Sequence, residues 1–322
     1  MHKGRMMNTS DYEIFKISEY SQKTHNGKEY LLNKSPYLDI VLHDSCNARC
    51  KFCIGDLIDK KLMLDKVKAK ESIIQAKEVF GVKEVLLLGG EPTLSKELFD
   101  YINMCKEIEF DKICMTTNAI RMSKDKHFAN QVLASGITHL NISYMSFNKD
   151  EQRYITGQSH YISEDDLAHF YTMRQCEIRI NNNVFKGNND SHEKIINFYN
   201  RIKQHASSVK FSPLMLTDNF SVVNEVNEFV RSNILNQETY DMIFRSVENS
   251  FPTAPIVKNN LTFGFVPYSM IMLDKPIILN WNQHGKMMQK VIEENKINNI
   301  KLLSNGKLSL SWNRNDKTMY LN

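Results

Sequence analysis

An α/β fold built on a parallel sheet is predicted by the way this chain alternates its apolar segments. From Leu38 onward, short apolar runs give way repeatedly to stretches with helical spacing, the βαβ rhythm. Residues that start and stop helices stand at the junctions, among them Gly81, Ser163 and Ser191. The 322 residues, 42% of them hydrophobic, suffice for one large domain or one domain with an appendage.

The elements follow in order. Tyr37 to Leu42 reads as the first strand, and Asp65 to Phe80 as a helix whose Val67, Ile73, Ile74, Ala76, Val79 and Phe80 fall near helical spacing, with Gly81 as its stop. Val82 to Leu88 is an unbroken apolar run of strand length, which predicts burial on both faces. Ser95 to Ile108 is the second helix, with Ser95 as its N-cap. Strands are predicted at Lys112–Thr116, His139–Tyr144, Glu177–Phe185 and Val209–Met215, with helices ending near Ser135, Cys176 and Ala206 between them. Ser163 and Ser191 head two of those helices, each with acidic residues in the first turn.

After about residue 218 the rhythm changes. A helix, in one or two pieces, is predicted over Glu225–Val247. Strand-like runs follow at Leu261–Leu273 and Pro276–Trp281, then a helix near Gly285–Asn295. Ile300–Leu303 and Lys307–Trp312 flank Ser304-Asn305-Gly306, and Asn-Gly between such runs predicts a hairpin. The division expected is an N-terminal extension over 1–36, an α/β unit over 37–218 and a C-terminal α+β cap over 219–322 on the substrate side.

Composition excludes several classes. No apolar run approaches the length that crosses a membrane. The net charge of +4 is mild and its Lys and Arg are scattered, which gives no case for nucleic-acid binding. Six cysteines without a secretory segment imply a reducing, cytoplasmic setting, where thiols serve metals or catalysis more often than bridges.

Three of those cysteines stand in His43-Asp44-Ser45-Cys46-Asn47-Ala48-Arg49-Cys50-Lys51-Phe52-Cys53, spaced C-x3-C-x2-C with no fourth nearby. A [4Fe–4S] cluster normally takes four thiolates, one per iron. Three on one loop therefore leave one iron open to a small molecule, as an open position separates catalytic from structural zinc sites. Zinc is the rival occupant, with His43 as a fourth ligand.

Further motifs sit at the ends of successive strands, where parallel folds bind ligands. Leu88-Gly89-Gly90-Glu91-Pro92-Thr93 follows the second strand; its glycines let the backbone approach closely and accept positive φ. Thr116-Thr117-Asn118-Ala119 follows the third and Asn141-Ile142-Ser143-Tyr144 closes the fourth. The fifth carries Arg179-Ile180-Asn181 and ends in Lys186-Gly187-Asn188-Asn189-Asp190, and the sixth ends in Phe211-Ser212-Pro213-Leu214-Met215. Arg179 offers a fork-shaped cation for a carboxylate.

In this order the segments resemble the radical S-adenosylmethionine (SAM) enzymes, over roughly residues 37–218. The match is most specific to the branch that includes the molybdenum-cofactor GTP cyclase and many peptide-modifying maturases. The resemblance implies a partial (β/α)6 barrel with a small C-terminal α+β extension. It implies that Cys46, Cys50 and Cys53 hold three irons of a [4Fe–4S] cluster whose fourth iron binds SAM. Gly89, Gly90, Glu91 and Pro92 would hold the SAM amino group, Ser143 its ribose, Arg179 its carboxylate and the backbone near Met215 its adenine, with Asn181 a further cofactor-binding residue. Thr116, Thr117 and Asn118 stand where the family has Thr-Thr-Asn-Gly. Reduction by a partner such as flavodoxin or ferredoxin would then yield methionine and a 5′-deoxyadenosyl radical that abstracts hydrogen from a substrate.

The chain also departs from the family. Ala119 replaces a glycine, which predicts a turn that avoids a left-handed residue there, and Met145 stands where an acidic residue commonly follows Ser143. No cysteine follows Cys176, so auxiliary clusters lack ligands, and Met319-Tyr320-Leu321-Asn322 replaces the cyclase's Gly-Gly tail. Cys105, Cys114 and Cys176 read as structural.

Substrate contacts are expected from Tyr144 and from Trp281, Asn282, Gln283 and His284, which combine an aromatic platform, amides and an imidazole. The 36 residues ahead of the first strand are too few for the peptide-binding winged-helix module of some maturases, which favours a small-molecule or nucleotide-like substrate. The alternatives are a ribosomal peptide to be epimerised or crosslinked, and a non-enzymatic metal-binding protein.

Overall fold

Asn26 and Gly27 both take left-handed backbone, φ 50° and 73°, and so reverse the chain between β1 (Tyr20–His25) and β2 (Lys28–Val41). The computed structural model describes residues 20–53, 62–214, 224–259, 268–281, 294–312 and 317–321. The strand expected at Tyr37–Leu42 is the second half of the longer β2, and the β1–β2 hairpin was not expected.

The βα units follow as the patterning dictates. They are α1 (Lys66–Phe80), β3 (Glu84–Leu88), α2 (Leu98–Glu107), β4 (Lys112–Thr117), α3 (Ile120–Lys124), α4 (Lys126–Leu133) and β5 (His139–Ser143). Then come α5 (Lys149–Thr156), α6 (Glu164–Met173), β6 (Glu177–Val184), α7 (His192–Ile202) and β7 (Ser208–Pro213). Asp65 caps α1 by accepting from the backbone N–H of Val67 and Lys68, and Gly81 ends it in the left-handed region. Ser163 and Asp166 form a capping box on α6, and Ser191 caps α7. Ser95 does not cap α2. Glu91 instead caps a short 3-10 turn over Pro92–Leu94, and α2 begins only at Leu98.

Beyond β7 lie α8 (Asn224–Asn233) and α9 (Gln237–Asn249), separated where Asn236 caps α9. The remaining strands are β8 (Ile256–Asn259), β9 (Tyr268–Ile271), β10 (Ile277–Asn280), β11 (Lys296–Leu302) and β12 (Leu308–Ser309). The hairpin expected at Asn305-Gly306 joins β11 to β12, with Gly306 at φ 82°. The helix expected over 285–295 and the run 261–267 lie outside the described residues, apart from 294 and 295.

All these strands join one open sheet in the order β12-β11-β2-β3-β4-β5-β6-β7-β10-β9-β8, with β1 on β2. The run from β11 to β10 is parallel throughout. The C-terminal strands therefore extend both edges: β10 pairs with β7, and β11 returns to pair with β2. This is an α/β, mostly parallel sheet left open as a partial barrel.

Strand alternation divides this sheet into two unlike faces. Leu38, Ile40, Val85, Leu87, Ile113, Met115, Leu140, Ile142, Ile178, Ile180, Val209 and Phe211 point to the outer face and none is more than 3% exposed. Each such side chain contributes about 1.5–3 kcal/mol on burial beneath the helices. The inner face carries Asp39, Glu84, Lys112, Cys114, Thr116, His139, Asn141, Arg179, Asn181 and Lys210, in register across neighbouring strands. The expectation that the 82–88 run is buried on both faces is corrected: Val85 and Leu87 are buried, while Glu84, Leu86 and Leu88 are only half-buried on the inner side.

Candidate functional site

The cysteine loop leaves β2 at the end of the barrel where the strands finish. The backbone N–H of Leu42 donates to the Leu88 carbonyl (2.9 Å), and that of Leu64 donates to the Leu42 carbonyl (3.0 Å). On its far side the loop is strapped to the end of α5: Arg49 N–H donates to the Thr156 carbonyl (2.8 Å) and Lys51 N–H to the Ile155 carbonyl (3.0 Å). Gly157 permits this approach, because a Cβ there would lie 2.8 Å from Arg49 Cβ and O. Cys46, Cys50 and Cys53 are half-buried, whereas Cys105 and Cys176 are buried in the core and Cys114 is buried on the inner face, at 0–8% exposure.

The three half-buried thiols share one loop, with Cys53 near enough for its charge to act on Cys46, a donor set that fits an iron–sulfur cluster. His43 is pinned in its own turn, its Nδ1 accepting from the Ser45 N–H at 3.1 Å. Cys46 Sγ accepts from the Ala48 N–H (3.3 Å) and lies 3.7 Å from Asn118 Nδ2, donors that favour a thiolate ligand. Burial pushes the Cys46 thiol up to about 11, so a bound metal would have to displace its proton.

The Gly-Gly-Glu-Pro segment forms the floor under this loop. Gly90 N–H donates to the His43 carbonyl and Glu91 N–H to the Ser45 carbonyl, both at 2.8 Å. A Cβ on Gly89 would come within 2.5 Å of the His43 oxygen, and one on Gly90 within 2.2 Å of the Ser45 oxygen. Close approach to the cysteine loop is thus what requires glycine here; neither residue takes positive φ.

Glu91 is 1% exposed and its carboxylate ties its own turn to the end of β4. Oε1 accepts from Thr93 N–H (3.1 Å), Thr93 Oγ1 (2.6 Å) and Thr117 Oγ1 (2.5 Å), and Oε2 accepts from Asn118 N–H (2.7 Å). Burial still raises its pKa, against the pull of these donors. Asn118 completes the junction by donating to Asn47 Oδ1 at 2.8 Å. Pro92 opens the 3-10 turn, and Thr116 accepts from Asn141 Nδ2 on the inner face.

Ala119 does not avoid the left-handed region. It sits there at φ 55°, ψ 11°, fully buried, as the residue preceding α3. A non-glycine residue in that region costs roughly 1–2 kcal/mol. Hydrogen bonds from Ala119 N–H to Thr117 Oγ1 and from Ile120 N–H to Asn118 Oδ1 hold the turn in place.

On the inner face, Ser143 at the end of β5 lies beside Asn181 of β6, and Asn181 Oδ1 accepts from Arg179 Nε at 3.1 Å. Lys210 of β7 is in register with Asn181. Burial and the neighbouring Arg179 lower Lys210 to about 7, and burial lowers Arg179 as well. Asn182 points the other way: it donates to the Tyr144 and Met145 carbonyls and accepts from Asn189, so part of the asparagine-rich motif staples β5 to β6.

Two expected substrate residues lie in packed surroundings. Tyr144 is fully buried against Phe147 and Phe198, its hydroxyl 3.2 Å from that of Tyr161. Trp281 packs edge-on to Phe244 of α9 and donates from Nε1 to Ser269 Oγ. Met215, Asn282, Gln283 and His284 lie outside the described residues.

Residues 40–206, more than half of the chain, match the family described as the Radical SAM superfamily. The chain belongs to the radical SAM superfamily. The GTP 3′,8-cyclase of Limosilactobacillus fermentum is 26% identical to it over 212 residues, 64% of this chain and 60% of that relative. The same enzyme of Haemophilus ducreyi is 34% identical over 128 residues, 38% of this chain and 36% of the relative. The chain thus covers less than two thirds of the length of these cyclases. Among solved structures, Streptococcus suis SuiB bound to S-adenosylmethionine is similar in fold, with a TM-score of 0.60 at 17% identity over 87% of this chain and 61% of that one.

For a radical SAM enzyme of this kind, three features of the site escaped the sequence reading. Lys210 was detectable as a lysine at an inward position of a strand with apolar neighbours. The Asp39–Asn299–Lys301 group and the contact between Asp44 and Ser304 join residues about 260 apart, and nothing local announces such pairings.

Proposed function

We propose that this radical SAM enzyme holds a [4Fe–4S] cluster on Cys46, Cys50 and Cys53, binds SAM across the strand ends, and abstracts hydrogen from an anionic small-molecule or nucleotide-like substrate. One observation carries the reading. Segments some seventy residues apart meet at Cys46, where Asn118 donates to Asn47 and Cys46 while Glu91 accepts from Thr117 and Asn118. When bound, the cluster and SAM supply a reductive cleavage that delivers a 5′-deoxyadenosyl radical.

The chain's own residues supply position and exclusion. The three cysteines offer three ligands and leave a fourth position open. Glu91 fixes the strand-end turn, so the Gly89-Gly90 backbone stands ready for the SAM amino group. Arg179 suits a carboxylate with two donors. Arg179 and Lys210 stand as neighbouring cations on this face, which supports an anionic ligand there. Phe52 packs on Phe185 in an apolar cluster with Met145, Ile155 and Leu214, which keeps water from one side of the loop.

A ribosomal-peptide substrate is the second reading. It is favoured by fold likeness over 87% of this chain to SuiB, a structure of which has been solved with the precursor peptide SuiA. The test is anaerobic reconstitution with iron and sulfide. Wild type should take up a cluster and, with dithionite and SAM, release 5′-deoxyadenosine. Replacing Cys46, Cys50 and Cys53 together by Ala should abolish both, and a triple variant that keeps full iron and sulfide would end the assignment.

A further inference from the structure

The C-terminal residues hold the cysteine loop from two sides. On one side, Phe185 packs between Phe52, the residue before Cys53, and Phe229 of α8, tilted to the first ring and edge-on to the second, with ring centroids 6.0 and 5.8 Å apart. Val226 and Val230 of α8 belong to the same apolar cluster. On the other side, Ser304 Oγ lies 3.2 and 3.1 Å from the two carboxylate oxygens of Asp44, two residues before Cys46. Both residues are buried, Ser304 at 2% and Asp44 at 4% exposure.

Ser304 is itself rigidly placed. It opens the β11–β12 turn, which is closed by hydrogen bonds from Gly306 N–H to the Leu303 carbonyl and from Leu303 N–H to the Lys307 carbonyl. Ser72 of α1 donates to the Gly306 carbonyl at 3.2 Å. β11 is locked to β2 by register from Asn299 beside Tyr37 to Leu302 beside Ile40, and Asn299 Nδ2 donates to Asp39 Oδ2 at 2.9 Å. β11 thus runs alongside β2 and brings Ser304 to the level where β2 gives way to the cysteine loop.

We propose that Ser304 is a positioning residue for the cluster: its hydroxyl fixes the Asp44 carboxylate, and through it the backbone that leads into Cys46. The β11–β12 turn then governs how firmly the cluster is held. This rests on the cluster reading given above. A hydroxyl shared by two carboxylate oxygens removes the freedom of Asp44 to swing, and a hydrogen bond to a charged group is worth more than a neutral one.

The experiment compares four reconstituted proteins: wild type, Ser304→Ala, Ser304→Thr and Tyr199→Phe. The last removes a different hydrogen bond, from Tyr199 Oη of α7 to the carbonyl of Lys275 in the loop before β10, at 2.8 Å. Iron release to a chelator and the electron paramagnetic resonance spectrum of the reduced protein, with and without SAM, are recorded beside the melting temperature. Ser304→Ala should lose iron about tenfold faster than wild type, the change that one such hydrogen bond is worth. Its spectrum should broaden; Ser304→Thr, which keeps a hydroxyl, should restore wild-type behaviour, and Tyr199→Phe should release iron at the wild-type rate. Wild-type release and spectrum in Ser304→Ala, or equal acceleration in Tyr199→Phe, would overturn the proposal while the cluster reading stands. A wild type that binds no cluster would overturn both.

Discussion

The two faces of the sheet have the same backbone and opposite chemistry. Toward the helices stand Leu140, Ile142, Ile178 and Ile180, all essentially inaccessible; one residue along each strand, toward the hollow, stand His139, Asn141, Arg179 and Asn181. The outer face can be read as stability alone, because hydrocarbon there has nothing to do but pack. The inner face carries polar and charged groups instead, among them the neighbouring cations Arg179 and Lys210. An open sheet roofed by helices on one side lets a single strand serve both ends.

The largest expected effect breaks the outer face. Leu140→Ala should cost about 2–5 kcal/mol of stability, since a cavity opens in a fully buried layer. Denaturant titration checks it, and a loss below about 1 kcal/mol would mean the layer repacks or bears less load than its burial implies.

Next comes the inner face. Arg179→Ala should leave the midpoint of unfolding nearly unchanged while SAM binding to the cluster-bearing protein weakens by roughly one to two orders of magnitude, as loss of a charge-assisted contact of about 1.5–3 kcal/mol requires. Arg179→Lys should recover only part of this, because an ammonium cannot reproduce a two-pronged contact. Calorimetry that returned the wild-type dissociation constant for Arg179→Ala would move the anion elsewhere.

The smallest effect sharpens the contrast by pH. Lys210 is lowered to about 7, so it is charged below that pH and neutral above it. Anion affinity on the inner face should therefore fall several-fold as pH rises through about 7. Lys210→Met should flatten that part of the profile. The unfolded chain binds the extra proton from about pH 7 up to the ordinary lysine value of 10.5, so stability of the ligand-free protein should rise with pH across that window. A wild-type affinity profile identical to that of Lys210→Met would show that Lys210 keeps its proton throughout.

The parts of this fold that were legible in the sequence are those with a local cause. Caps at Ser163 and Ser191, the stop at Gly81 and the Asn305-Gly306 hairpin act through neighbouring atoms, and each is where the pattern put it. The cysteine spacing was legible for the same reason. The β1–β2 hairpin was missed although Asn26-Gly27 announces it, because β1 is polar and shows no alternation. The inner face of β3 was misread because Leu86 and Leu88 are apolar on the open side. Ala119 shows the opposite error: a rule about glycine underrated what hydrogen bonds to Thr117 and Asn118 can hold in place. The pairing of β11 with β2 has no local signature at all.

That pairing sets a clock on assembly. Asp44 and Ser304 are 260 residues apart. At a synthesis rate of about 5–20 residues per second, a ribosome that has just made the first is roughly 13–50 s from the second. During that interval the nascent cysteine loop has its glycine floor soon after it emerges, yet lacks the strand that will flank β2. Metal delivered to the growing chain meets a loop still open along one edge; metal delivered after release meets a finished one.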